Sequence, residues 1–173
     1  MFWISRYFKD RKKRQNQRQA GAYAAGECMR HICRVITPAD VAMFFDVGAN
    51  DGQTVRQVRP IFPKAQIHAF EPGQDAFECL QASTSADSKV ATHQLALGDA
   101  PGELALFRHE GSVTDSLLPE GADFYSKSPS HFAGSRPPER VQVETLDAFC
   151  ARHAIERIDI LKIDTQGFDD RVL

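Results

Sequence analysis

No apolar run in this 173-residue chain is long enough to cross a bilayer, which excludes a membrane-spanning helix. Its four cysteines, Cys28, Cys33, Cys79 and Cys150, form no C-x-x-C pair and share no metal-ligand spacing with histidine. A disulfide framework or structural metal therefore finds no support, and reduced thiols are expected. Cys79 and Cys150 each fall in an expected amphipathic helix, as packing residues. The six histidines are dispersed and suggest no histidine-based metal site. Internal repeats are missing, as is any linker that would split the main body in two. What is present suits a single domain: 42% hydrophobic residues, enough for a real core.

Acidic residues are scarce at one end. Residues 1–34 hold nine Lys or Arg against Asp10 and Glu27, a net of +7 that leaves −9 for the remainder. The chain divides into a basic helical arm, 1–40, and an acidic domain, 41–173. The arm starts with Phe2, Trp3, Ile4, Tyr7 and Phe8, then runs through Lys9, Arg11, Lys12, Lys13, Arg14 and Arg18. Aromatic residues beside such a cluster suit an anionic membrane surface, and the cluster alone suits nucleic acid. A solvated helix packed on the domain, or a frayed terminus, is the commoner outcome for one short basic segment. The apolar stretch is too short for a secretory signal and precedes the charges instead of following them. The expected location is cytoplasmic, with peripheral membrane contact through the arm as the open alternative.

The domain opens with an apolar run, 41–47, broken only by Asp46, as expected of a parallel strand buried on both faces. Gly48 then permits a sharp turn, Gly52 keeps bulk from the start of the next helix, and Asp46 and Asn50 add polar contacts. A helix over 53–61 and a second strand over 66–70 follow, the strand ending at Glu71. Adjacent strands lie about 4.8 Å apart, so Asp46 and Glu71 should face one crevice at the strand C-terminal ends. A carboxylate there can accept hydrogen bonds from both hydroxyls of a ribose. The spacing D-x-G-x-x-x-G puts Asn50 where a dinucleotide fingerprint needs its second glycine. It suits S-adenosylmethionine, which has a ribose and no phosphate. A tight strand-to-helix turn without a ligand is the plain alternative.

Further segments carry a resemblance. FDVGANDG (45–52), AFEPG (69–73), LALGD (95–99), VETLDAFC (143–150) and IDILKIDTQGFDDRVL (158–173) stand in the order and spacing of the FkbM-type methyltransferases, which the chain resembles over 41–173. The resemblance implies an α/β fold, the Rossmann-like sheet of class I methyltransferases, and S-adenosylmethionine as cofactor. It implies O-methylation of a hydroxyl on a sugar, glycan or secondary metabolite. Asp46, Gly48, Asn50 and Gly52 would line the methionine end, Glu71 would hold the ribose, and Ala96 and Leu97 would lie near the adenine. The family usually has an acid where this chain has Gln166, which puts any charge-dependent role there in doubt.

A helix over 74–82, strands over 90–95, 102–109 and 140–144, and a helix over 145–153 continue the pattern, with an inserted β pair. The long Ser-, Gly- and Pro-rich segment 110–139 between them is either a substrate-facing loop or disordered. The strand 158–163 ends at Asp164, which reaches the crevice from the other side of the first strand or serves as a helix N-cap or a salt-bridged structural acid. Lys162 is expected on the opposite face of the sheet. Removing the acceptor's proton needs a base, and Asp164, His109 and His131 are the candidates. No Asp/Asn-Pro-Pro-aromatic platform follows this strand, so no nucleic-acid partner is expected. The seven-strand order 3-2-1-4-5-7-6 implied by the resemblance is incomplete, since a helix is expected after the fourth strand and nothing follows. The expectation is a truncated methyltransferase, with a noncatalytic remnant or a membrane-associated module as alternatives.

Overall fold

The computed structural model describes residues 31–108, 115–117 and 136–173. Four parallel strands form the main sheet in the order β3-β2-β1-β7: β1 (Met43–Val47), β2 (Gln66–Phe70), β3 (Val90–His93) and β7 (Ile160–Ile163). Among the described residues three α-helices with defined bounds flank it: α1 (Gln53–Val58), α2 (Gln74–Thr84) and α3 (Leu146–Arg152). Strand alternation sorts the core into two layers. Phe44, Ile67 and Ala69 join Val55 and Val58 of α1 and Leu80 of α2 on one face. Phe45, Val47 and Phe70 join Phe149 of α3 on the other. Each buried Phe, Ile, Leu or Val among them contributes about 1.5–3 kcal/mol. This is the α/β, Rossmann-like arrangement that the sequence implies.

The insertion is larger than a pair. A second sheet has the order β4-β6-β5, where β4 is Ala96–Leu97, β5 Gly102–Arg108 and β6 Arg136–Glu144. The expected strand 90–95 therefore splits: β3 stops at His93, and the chain changes sheets at Gln94 and Leu95. Strand β6 begins earlier than expected and passes through Pro137 and Pro138. The register explains it, because partners step from Leu106↔Glu139 to Arg108↔Arg136, so two residues face one across a bulge. A bulge is where a sheet tolerates residues that donate no hydrogen bond. Phe107, opposite the prolines, exchanges both backbone bonds with Ser116, at 2.8 and 3.1 Å. The upstream part of the expected loop, 110–135, is described only at 115–117.

Two further expectations change. Cys79 lies in α2 but is exposed, while Cys150 packs on the Phe149 cluster as expected. After β7 the chain forms a 3-10 turn, Asp169–Arg171, where an α-helix was expected. Residues 1–30, and with them the proposed membrane contact, lie outside the described residues, but Ile32, Cys33 and Ile36 pack onto the core. No helix among the described residues is long and apolar enough to cross a membrane.

The histidines are not all dispersed in space. His68 of β2 and His93 of β3 place Nδ1 and Nε2 3.0 Å apart, against the edge of Phe149 and beside His153. Burial pulls both down to about 4, the His68 ring next by His153, and the His93 ring by His68, His153 and Arg152 against an opposing pull from Glu144. The unfolded chain takes up these protons near pH 6.5 and the folded chain only near 4, so the pair's contribution to stability is complete above pH 6.5 and is lost progressively as pH falls toward 4. His93→Gln keeps a hydrogen-bond partner for His68 and cannot titrate. Its melting temperature should fall less between pH 7.5 and 4.5 than that of the unaltered chain; equal slopes would remove the pair as a cause.

Candidate active site

The C-terminal ends of β1, β2 and β7 meet in one crevice, the position at which open α/β sheets take ligands. The turn after β1 is unusual in its backbone: Gly48, Asn50 and Gly52 have φ of 76°, 48° and 84°. Left-handed geometry comes easily to glycine and tolerably to asparagine. A Cβ on Gly48 would sit 2.0 Å from the Asp164 carbonyl oxygen, so this glycine is required by contact between the chain's own β1 and β7 turns. At Gly52 a Cβ would meet Ser83 Oγ at 2.7 Å and Leu80, which explains the close seat of α1 against α2.

Glu71 stands at the end of β2, 8% exposed. Its Oε2 accepts the Asn50 N–H and its Oε1 the Gly73 N–H, each at 2.9 Å. Each oxygen keeps a lone pair, which leaves room for two hydroxyl donors. Burial pushes its carboxyl up to about 7; the Gly73 and Asn50 N–H groups oppose this, and the charges of Asp115 and Asp46 add to it. The two predicted carboxylates thus lie in one electrostatic neighbourhood.

Asp46 is fully buried. It sits beneath the crevice surface, where the sequence had placed it among the lining residues. Its Oδ1 lies 3.0 Å from Lys162 Nζ, yet neither oxygen has a hydrogen bond of good geometry. Burial raises its carboxyl above the usual range; Lys162 pulls it back down, and Asp164 adds to the rise. Lys162 belongs to this site, contrary to expectation. Alternation of period two puts residues 162 and 164 on the same face, and the register pairs Lys162 with Asp46 across β1 and β7. The ammonium donates to the Gly48 carbonyl at 3.1 Å and lies 3.7 Å from Asp164 Oδ2. A lysine inside the otherwise apolar strand Ile160–Ile163 was the overlooked signal.

Asp164 is 56% exposed in its side chain, and its Oδ1 accepts a bond from Gln166 Nε2 at 3.0 Å. Asp164 is not an N-cap: the turn Asp169–Arg171 has Phe168 at that position with no side-chain cap bond, and the Thr165 and Gly167 N–H groups bond to Asp169. Gln166, itself at φ 55°, has its carbonyl held by Ser116 Oγ at 3.0 Å. Ser116 thereby ties the insertion to the turn after β7. His109 and His131 lie outside the described residues. Ala96 and Leu97 are buried, Ala96 in the small sheet's cluster and Leu97 among Phe45, Phe70 and Phe149. Their side chains are occupied by packing, which leaves the backbone of this segment for any adenine. A separate depression of about 430 Å³ lies by Met43, His68 and His153, away from the β1 and β2 C-terminal ends.

Among the described residues the crevice gathers three carboxyl groups, Glu71, Asp164 and the buried Asp46, around one ammonium, Lys162. That donor set suits a ribose and a cation and is poor for pyrophosphate. The family model for the methyltransferase FkbM domain matches residues 46–173. The chain is 25% identical over 148 residues to the 2-O-methyltransferase NoeI of Sinorhizobium fredii (strain NBRC 101917 / NGR234), an alignment that covers 83% of this chain and 60% of that protein. The chain thus spans about three-fifths of the length of that curated relative. No solved structure matches it.

Proposed function

From the chain's place in the FkbM methyltransferase family, to which it belongs, we propose that the crevice binds S-adenosylmethionine and that the protein methylates a hydroxyl of a sugar, glycan or secondary metabolite. The observation that carries this is Glu71, a nearly buried carboxyl at the end of β2 whose two oxygens each accept one backbone N–H and each have capacity for a second donor. When bound, the cofactor supplies a methyl group already activated on a sulfonium. The chain's own residues then have three tasks. Glu71 accepts the ribose hydroxyls, the Gly48–Asn50 turn shapes the methionine end, and Asp164, exposed on the β7 side, takes the proton from the acceptor hydroxyl. Holding the acceptor oxygen close and aligned accounts for much of the rate. The 2-O position of the NoeI name supports a hydroxyl acceptor.

Calorimetry against S-adenosylmethionine and against NAD tests the binding half, and transfer of a labelled methyl group to a panel of sugar hydroxyls tests the chemistry. Binding of S-adenosylmethionine with none of NAD is expected. NAD binding, or no binding of either by a folded chain, would sink the reading.

A further inference from the structure

Lys162 makes contacts that a simple countercharge would not need. It pairs with the fully buried Asp46, but it also donates to the Gly48 carbonyl at 3.1 Å and approaches Asp164. Gly48 opens a turn in which two of three residues are left-handed, Gly48 at φ 76° and Asn50 at φ 48°. Such a turn holds one shape only if the surroundings over-determine it. The restraints are visible at both ends: Gly48 and Ala49 N–H groups bond to the Phe70 carbonyl at 3.0 and 2.9 Å, Lys162 holds the Gly48 carbonyl, and the Asn50 N–H docks on Glu71 Oε2. A continuous path therefore runs from the ammonium on β7, through the turn, to the carboxylate at the end of β2.

We propose that Lys162 is a positioning residue of the cofactor crevice: by holding the Gly48 carbonyl it fixes the left-handed turn and, through the Asn50 N–H, the orientation of Glu71. This rests on reading the crevice as a cofactor site. The neutralisation of Asp46 is a second and separable role of the same ammonium. Removing the lysine leaves a buried carboxylate with no countercharge, which destabilises the fold. Removing both charges cures that defect and leaves the Gly48 carbonyl still unheld.

The experiment compares the 173-residue chain with Lys162→Met, Asp46→Asn and the double variant, by melting temperature, S-adenosylmethionine calorimetry and hydrogen exchange at the Asn50 amide. Lys162→Met should lower the melting temperature and weaken binding by at least about tenfold. The double variant should recover the melting temperature while binding stays weak and the Asn50 amide exchanges faster than in the unaltered chain. If the double variant regains both melting temperature and affinity, the lysine only neutralises Asp46 and the proposal is overturned. If Lys162→Met does not fold, the double variant decides alone. If the unaltered chain binds no S-adenosylmethionine, the cofactor reading falls, and the Asn50 amide decides the positioning role: faster exchange in the double variant sustains it, and unchanged protection overturns it.

Discussion

Gly48→Ala should cost the domain a large share of its stability. Two costs add at this position. A Cβ at φ 76° is in left-handed backbone, where each L residue loses about 1–2 kcal/mol. The same Cβ would lie 2.0 Å from the Asp164 carbonyl oxygen and 2.9 Å from its carbon. These are backbone atoms at the end of a paired strand, so relief requires β7 to move away from β1, and with it Lys162 and Asp164. A loss of more than about 4 kcal/mol is expected, out of the roughly 5–15 kcal/mol that domains have. Urea unfolding measures it. Gly52→Ala is the natural comparison, since its first clash is with Ser83 Oγ, a side-chain atom able to turn away. A Gly48→Ala chain that unfolds at the same urea concentration as the unaltered one would show that the two turns are not in the contact described.

Glu71→Gln should weaken S-adenosylmethionine binding at least about tenfold at pH 8, and should flatten its pH dependence. Charge-assisted hydrogen bonds contribute about 1.5–3 kcal/mol each, and a ribose diol makes two of them with a carboxylate. With its carboxyl pushed up to about 7, Glu71 is largely protonated at pH 6 and largely ionised at pH 8. Only the ionised form accepts both hydroxyls without surrendering a lone pair to its own proton, so affinity in the unaltered chain should rise with pH through 7. Stability runs the other way. The folded chain holds this proton between about 4.5 and 7 where the unfolded chain has lost it, so Glu71's contribution is complete below 4.5 and disappears as pH rises through 7. Glutamine removes that loss but gives up one of the two backbone N–H bonds, and the opposing effects should leave the melting temperature at pH 8 little changed. Calorimetry from pH 6 to 8.5 checks the prediction. Affinity in Glu71→Gln that still climbs with pH, or equals that of the unaltered chain at pH 8, would remove Glu71 from the ribose.

The parts of this site that were legible in the sequence are local. Gly48 and Gly52 announce a turn because only glycine adopts that backbone freely, and Glu71 follows a five-residue strand whose bounds, Gln66–Phe70, are as expected. What escaped depends on register between distant strands. The Asp46–Lys162 pair exists because β1 and β7 align Phe44 with Ile160, and no composition or periodicity fixes that alignment. Pro137 and Pro138 read as loop because they donate no hydrogen bond, whereas the bulge at Leu106 and Arg108 accepts them within a strand. The switch of sheets at Gln94 and Leu95 was hidden for a related reason, since a buried apolar run looks the same in one sheet as in two.

The long reach between β1 and β7 also bears on how the molecule assembles. Asp159 Oδ2 takes the N–H groups of Ala42 and Met43 at 2.8 and 2.9 Å, across sequence separations of 117 and 116, and Lys162 reaches Gly48 across 114. Chain closure over such distances is slow and gains little from local propensity, because loop entropy is lost before any contact forms. The glycine turn therefore cannot reach its final shape while 159–164 is still on the ribosome. Until then the nascent chain carries β1 with one side unpaired.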